Sequence, residues 1–462
     1  MALSRLRSVL DSRRPLRIAF VLVVLVAVGL LAVSYVTAPP TFPERVERGG
    51  TIAEPANGTT VVATQGLGRE GWHQAFVGDS PGELVAVAPD GSVAYYDDTY
   101  QAYWDVDPVE GTESTVEYVA AEYLSAEQCD AATDCYRNTV LRTNVSTGET
   151  REVYGYVVRN EPSIRWHDVD RVDETHLAVA DISEDRAFVV DTETGIVEWQ
   201  WDAQSDLPLD SGGEYPTDWT HINDVEILDD GRFMLSLRNQ DRVVFVDPET
   251  GVQEDWTLGE EDNYDILYEQ HNPDYLPESQ GGPAVLVADS HNNRVVEYQR
   301  VDGEWEQTWQ YGDAVLQWPR DGDRLPNGHT LVTDSNGDRV IEVDESGDVV
   351  WKLTVNLPYE AERLGTGDES TGGPSAASAD LQSHEAGDGG GGGLSLRAIA
   401  YAIVPGEIIL GLGFVLPGWM GFREALVVGG LVATLGLWAV LELYWAPWSV
   451  SLHKPVRFRR KE

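Results

Sequence analysis

Four stretches of this chain repeat one another: VADISEDRAFVVDTETGIVEWQW, MLSLRNQDRVVFVDPETGVQEDW, LVADSHNNRVVEYQRVDGEWEQTW and LVTDSNGDRVIEVDESGDVVWKL. Each has a short apolar strand, a polar turn closing on Arg, a second alternating strand, a tight turn such as ETG or ESG, and a Trp-bearing third strand. The shared arginines, Arg186, Arg242, Arg294 and Arg339, recur at intervals of 56, 52 and 45 residues. Helical periodicity is absent from this region. A unit of three or four short antiparallel strands cannot bury both of its faces alone, so such units stack on one another as propeller blades. Two degenerate units fit upstream, one holding VAVAPDGSVAYY and one NTVLRTNVSTGETREVY. The expected fold is all-β: a propeller of about six blades over residues 45–364.

The flanks read differently. Residues 1–17 are a basic tail with Arg5, Arg7, Arg13, Arg14 and Arg17, and Ile18 to Val36 is a run of 19 residues without a charge. That length crosses a bilayer as a helix, and the arginines before it favour a cytoplasmic N-terminus. A transmembrane anchor over 18–36 is preferred to the competing reading, a cleaved signal sequence. Residues 365–393 are rich in Gly, Ser, Asp and Glu and nearly free of large apolar side chains, which predicts a disordered tether. Residues 394–446 hold two apolar segments, Ala398 to Met420 and Ala425 to Tyr444. Pro405, Glu407 and Pro417 break the first, so one or two C-terminal transmembrane helices are expected. Whether the first crosses or re-enters sets the side of the basic tail 447–462, which carries Arg457, Arg459 and Arg460.

Charge narrows the setting. The 462 residues carry 78 acidic and 32 basic side chains, a net charge of −46, and lysine occurs only as Lys352, Lys454 and Lys461. Acid spread along the whole chain repels itself in dilute solution and is screened by concentrated salt. The composition points to a halophilic archaeon and excludes nucleic acid as a partner, since phosphate binding needs a basic face. Cys129 and Cys135 are close enough for a small-loop disulfide in an oxidising compartment and fit no zinc spacing. With the acceptor patterns Asn57-Gly58-Thr59 and Asn144-Val145-Ser146 they place the propeller on the extracellular side of the cell membrane, with the lipid bilayer as a partner.

The repeat register also places histidines. His167 in WHDVD, His221 in THIND and His271 in QHNPD each precede the first strand of a unit, and Trp318-Pro319-Arg320-Asp321 is the fourth equivalent. Loops entering the innermost strands crowd one mouth of a propeller's channel, so these side chains should converge there. Imidazole serves as nucleophile or general acid–base near neutral pH, and Arg offers a fork of donors to a tetrahedral oxyanion. A cationic mouth in so acidic a chain suggests an anionic ligand such as a sulfate or phosphate ester, with Asp168 and Asp224 placed to orient the imidazoles. A histidine at every blade start is also what a structural tie would show; the functional reading is preferred for His221 and His271 ahead of His167. Asp181, Asp289, Asp334, Arg238, Asn239 and Asn292 occupy the polar turns. The repeated arginines read as blade braces, with Arg294 as the one functional candidate. His176 and His329 read as solvated; His291 fits either reading, and His73, in GWHQAF near the start of the domain, is within reach of the mouth. Asp334, Asn336, Asp338 and Glu342 have offsets reminiscent of a calcium loop, but a polar hairpin turn explains them as well. No metal or cofactor is expected.

At THINDVEIL, QHNPDYL and DSHNNRVVEY the chain resembles the arylsulfotransferase family, the arylsulfate sulfotransferases that use no nucleotide sulfate donor. The likeness runs over roughly residues 60 to 360. It implies a six-bladed propeller outside the cytoplasm and sulfuryl transfer from an aryl sulfate donor to a phenolic acceptor through a sulfated histidine. It further implies binding or catalytic roles for His221 and His271 and a sulfate-holding role for Arg294; by the repeat register His167 joins the catalytic candidates, and Arg320 and Asn292 join the substrate-binding ones. The family's further histidine on a later blade has no assigned counterpart; Arg320, Asp334 and His329 occupy that region. The turn strings VADSHNNRVVEY and VTDSNGDRVIEV also resemble NHL-type repeats, which gives the alternative: a non-catalytic cell-surface propeller that binds a protein or a small anionic ligand.

Overall fold

The structure is a computed structural model that describes residues 13–37, 57–66, 81–158, 166–385, 420, 422–446, 448–451 and 457–460. His73 and most of the segment 398–420 lie outside the described residues. The chain divides into two compact units, Thr41–Val415 and a second made of Met1–Pro40 with Leu416–Glu462.

The first unit is a six-bladed β-propeller of antiparallel sheets. Its innermost strands are Pro358–Arg363, Ala102–Pro108, Trp166–Arg171, Ile222–Ile227, His271–Leu276 and Pro319–Arg324, belonging to blades 1 to 6 in that order. Blade 1 closes the ring. Its inner strand comes from the end of the propeller sequence and pairs with Thr60–Thr64 from the beginning, Thr60 opposite Arg363 and Val61 opposite Glu362. The outer strand of blade 4 is split into Gly251–Val252 and Leu258–Gly259 by a 3₁₀ turn at Glu254–Trp256. Cores form between blades. Ala178 and Val189 of blade 3 pack with Leu235 and Val244 of blade 4, and Leu286 and Val295 of blade 5 with Val332 and Ile341 of blade 6. This shared burial is why a single repeat could not fold alone.

The turn aspartates and repeated arginines brace these blades. Asp181 pairs with Arg186 at 3.0 Å, Asp289 with Arg294 at 2.7 Å and Asp334 with Arg339 at 2.6 Å. All three aspartates are buried. The other carboxylate oxygen of Asp289 accepts from Tyr268 N, and that of Asp334 from Gln317 N, both at 2.8 Å. Each of these two pairs therefore ties a β-hairpin to the loop that enters the innermost strand of its own blade. Asp334 also accepts from Gly337 N, and Glu342 is shared by His329 and Arg363, so the calcium-like offsets of that turn serve internal bonds.

The tether expected at 365–393 needs correction over its described part. Residues 365–385 fold onto the propeller. Gln280 Nε2 donates to Ser370 O and Gly373 O, and Ala376 N donates to Glu297. Ser375 caps the short helix Ala376–Ala379, and Trp309 Nε1 donates to Gln382 O. A Cβ on Gly373 would lie 1.9 Å from Arg324 O, so the approach requires glycine. Small polar residues can be buried when their hydrogen bonds are met, which a composition argument overlooks.

In the second unit the helices Arg13–Thr37 and Phe422–Trp445 are each long and apolar enough to cross a membrane. They run antiparallel: Arg17 pairs with Glu442 at one end, Ser34 bonds Glu424 at the other, and Phe20 stacks on Trp438 between.

Candidate functional site

Five innermost strands share an irregularity at their first residues. Register shifts fall between Tyr103 and Val106, Trp166 and Asp168, Ile222 and Asp224, His271 and Asp274, and Pro319 and Asp321. Such bulges release a residue from the ladder and re-aim its side chain. His221, Asn272 and Trp318 also take positive φ values of 48°, 35° and 52°, a cost that non-glycine residues rarely bear. The bulges gather aromatic, imidazole and guanidinium groups at one mouth of the channel.

The ring centroids of His167 and His221 are 5.3 Å apart. Tyr359 lies 5.5 Å from His167 and 6.3 Å from His271, and Trp104 lies 4.3 Å from His167. The Arg320 guanidinium sits over both Trp318, at 4.5 Å, and Tyr359, at 4.8 Å, and it donates to Gln65. Trp318 also meets His271 and His291, each at 5.9 Å. Arg238 comes from the blade 4 turn. It is held by Asn239 and lies 3.5 Å from Asp218 and 3.8 Å from Glu269, which also pairs with His291 at 3.1 Å.

Hydrogen bonds fix the imidazoles. His221 Nδ1 lies 2.6 Å from Asp218 Oδ1. Ser290 gives its hydroxyl hydrogen to Pro319 O at 2.7 Å, so its oxygen accepts from His271 Nδ1 at 2.8 Å. His271 is therefore the Nδ1–H tautomer, and its Nε2 carries the lone pair. Burial, then the charge of Arg238, lowers His221 to about 4 even though Asp218 pulls the other way. Burial, then Arg320 and Arg238, holds His271 well below the usual imidazole range. Both rings are neutral at pH 7. The Tyr359 hydroxyl is buried without a hydrogen-bond partner among the described residues, and burial raises its pKa well above that of a free phenol.

Below the mouth the innermost strands carry acids at alternate positions: Asp105 and Asp107, Asp168 and Asp170, Asp224 and Glu226, Asp321 and Asp323, Glu360 and Glu362. Several link one blade to the next. Glu360 accepts from Val106 N, Asp105 from Val169 N, Asp168 from Val225 N, Glu226 from Tyr275 N and Asp321 from Ala361 N.

The structure thus brings together His167, His221, His271 and Arg320. It does not bring Arg294 or Asn292 to them. Arg294 donates to Asp289, Gln310, Asp265 O and Ile266 O, and Asn292 to Tyr264 O and Asp289. Both line a surface cleft of about 420 Å³ with His384 and Glu385, and Arg294 is a brace like Arg186 and Arg339. Asp168 is bonded to the neighbouring blade instead of an imidazole; Asp218 and Ser290 perform the orienting. His329 pairs with Glu342 in the hairpin that follows its innermost strand, at the end opposite the mouth. Tyr359, Asp218 and Ser290 escaped the sequence reading, which placed Arg238 in a polar turn without giving it a role. One signal for Arg238 was legible: the second repeat has Leu237 where the others have the bracing Asp, and the turn residue after it is Arg.

Among solved structures, a Pseudomonas aeruginosa periplasmic gluconolactonase is similar at 14% identity and a TM-score of 0.42, covering 67% of this chain and 99% of that one. A Bacteroides caccae protein of unknown function gives 10% and 0.44, covering 67% and 100%. A catalytically inactive Staphylococcus aureus virginiamycin B lyase with quinupristin gives 7% and 0.38, covering 67% and 89%. At these values the likeness stops at the fold. Comparison with curated proteins gives no match. Residues 160–356, which carry the blade starts of His167, His221, His271 and Arg320, match the family model of the arylsulfotransferases.

Proposed function

We propose that the mouth transfers a sulfuryl group from an aryl sulfate to a phenol, with His271 as its temporary carrier. The observation that supports this reading most is a pair of neutral, tautomer-fixed imidazoles beside two arginines, Arg238 and Arg320, in a mouth walled by Trp104, Trp318 and Tyr359. Arginine forks suit the sulfuryl oxygens, and aromatic walls suit an aryl ring. His271 Nε2 attacks sulfur, the bond from sulfur to the aryl oxygen breaks, and phenolate leaves with a hydrogen bond from Tyr359. An acceptor phenol then attacks the same sulfur while His221, oriented by Asp218, takes its proton. The bond from nitrogen to sulfur breaks, His271 is regenerated, and the proton on His221 goes to the departed phenolate. No cofactor enters this scheme.

The same reading places the propeller outside a salt-adapted cell, held by a membrane. Its support is the antiparallel helix pair. The pairing sets Arg13, Arg14 and Arg17, in the first turns of the first helix, at the end where the second helix closes ahead of Arg457, Arg459 and Arg460, as the positive-inside tendency favours.

The deciding experiment uses purified full-length protein in molar potassium chloride with 4-nitrophenyl sulfate and a phenolic acceptor. Nitrophenolate release should depend on acceptor. Mass spectrometry after brief donor exposure should find the sulfuryl mass on the His271 peptide, and His271→Ala should abolish both. Turnover that survives in His271→Ala would remove His271 as carrier, and no turnover of any aryl sulfate would favour a binding module.

A further inference from the structure

We propose that the central channel holds a calcium-class divalent cation on Asp274, Asp321 and Asp323. This site is separate from the histidine mouth and does not depend on the sulfuryl-transfer reading. Asp274 comes from the innermost strand of blade 5, and Asp321 and Asp323 from that of blade 6. Alternation along a strand points residues two apart to the same face, so Asp321 and Asp323 share one side of their innermost strand, where Asp274 meets them. Carboxylate oxygens of the three lie within 4.8 Å of one another. Calcium, with oxygen ligands at about 2.3–2.6 Å, spans such a set.

An acidic cluster alone would not imply an ion. The second observation is Asp323 Oδ2. Asp323 is 1% exposed; its side chain meets that of Asp321, but this oxygen has no hydrogen-bond partner among the described residues. Its neighbours are differently placed. Asp274 accepts from Ser370 Oγ, and Asp321 accepts from Thr333 Oγ1 and Ala361 N, each at 3.2 Å. Arg324, the cation next in sequence, bonds Thr330 and Pro374 O and meets Glu297 at 3.2 Å; its charge also acts on Asp274, but it makes no hydrogen bond to any of the three carboxylates. A buried carboxylate oxygen left without donor or cation beside two more carboxylates is costly, and a bound cation removes that cost. The donors are all oxygen, which selects a hard cation, and a set of several carboxylates suits calcium better than magnesium, which usually keeps most of its water. The ion would join blades 5 and 6 and, through Ser370, the folded segment 365–385.

The test uses the full-length protein in molar potassium chloride. After desalting, the metal content should be about one calcium per chain, and after EGTA treatment calcium should rebind at a single site with Kd of about 10⁻⁴ M or tighter. Millimolar calcium should raise the melting temperature by several degrees over EGTA. Asp323→Asn should lose the retained calcium and the shift. Equal retention in wild type and Asp323→Asn would mean binding to the acidic surface and would overturn the proposal. So would a single site filled by magnesium and not by calcium. Should Asp323→Asn fail to fold, the wild-type titration decides: saturation at one site supports the proposal, and a shallow unsaturable isotherm overturns it.

Discussion

Asp218 Oδ1 lies 2.6 Å from His221 Nδ1, across a loop in which His221 itself holds a left-handed φ of 48°. The contact spends backbone strain to fix which ring nitrogen faces the mouth. Asp218→Asn could bond the ring but would not stabilise a protonated imidazole. If His221 is the general base, kcat should fall by about 10²–10⁴-fold, with KM changed far less and the melting temperature nearly unchanged. Steady-state kinetics with an aryl sulfate checks this; equal kcat in variant and wild type would remove His221 from proton transfer.

Arg294 and Arg238 should separate cleanly. Arg294→Ala leaves the buried Asp289 without its cation, a loss of about 3 kcal/mol, so the melting temperature should drop while KM per folded molecule stays put. Arg238→Ala, at the mouth, should raise KM and lower kcat with a smaller change in melting temperature. Thermal unfolding and kinetics on the two variants would show the reverse pattern if Arg294 held the substrate.

The channel acids should make stability depend on pH. Burial raises Asp168 to about 7 and Asp170 to about 6 from an ordinary value of 3.8. The folded state then holds protons that the unfolded chain has released. That stabilisation is complete below pH 3.8 and is lost as pH rises through 6 to 7. His221, lowered from 6.5 to about 4, acts oppositely: the unfolded chain takes up its proton first, so stability falls as pH drops from 6.5 toward 4. Two acids outweigh one histidine between pH 4 and 6, so in EGTA the melting temperature should be higher at pH 5 than at pH 8, and Asp168→Asn should flatten the decline. Scanning calorimetry across this range would contradict the account if the melting temperature climbed steadily to pH 8.

Topology has its own test. Protease added to intact cells should digest the propeller and spare the helices Arg13–Thr37 and Phe422–Trp445. A protected propeller would place it on the inner side.

The repeat, its blade period and the apolar helices were legible because each is a local pattern: alternation, turn residues and uninterrupted hydrophobic length are read within tens of residues. The same register also foretold that His167, His221, His271 and Arg320 share one mouth, since symmetric units deliver equivalent positions to equivalent places. The cysteine spacing was likewise local, and the structure joins Cys129 and Cys135 in a disulfide.

What symmetry could not tell was which repeated residue breaks its pattern of use. Arg294 looked like a ligand arginine, yet its donors are consumed by Asp289 and by carbonyls about 28 residues away in sequence. Arg238 reaches the mouth because its own turn lacks that aspartate. Tyr359 arrives from the far end of the propeller sequence through ring closure with Thr60–Thr64, and Ser370 reaches Asp274 across 96 residues. Sequence by itself determined the unit, its period and the side of each strand. Only tertiary structure decided which side chains remained unsatisfied after the ring closed, because hydrogen bonds and burial are settled between residues that the chain order keeps apart.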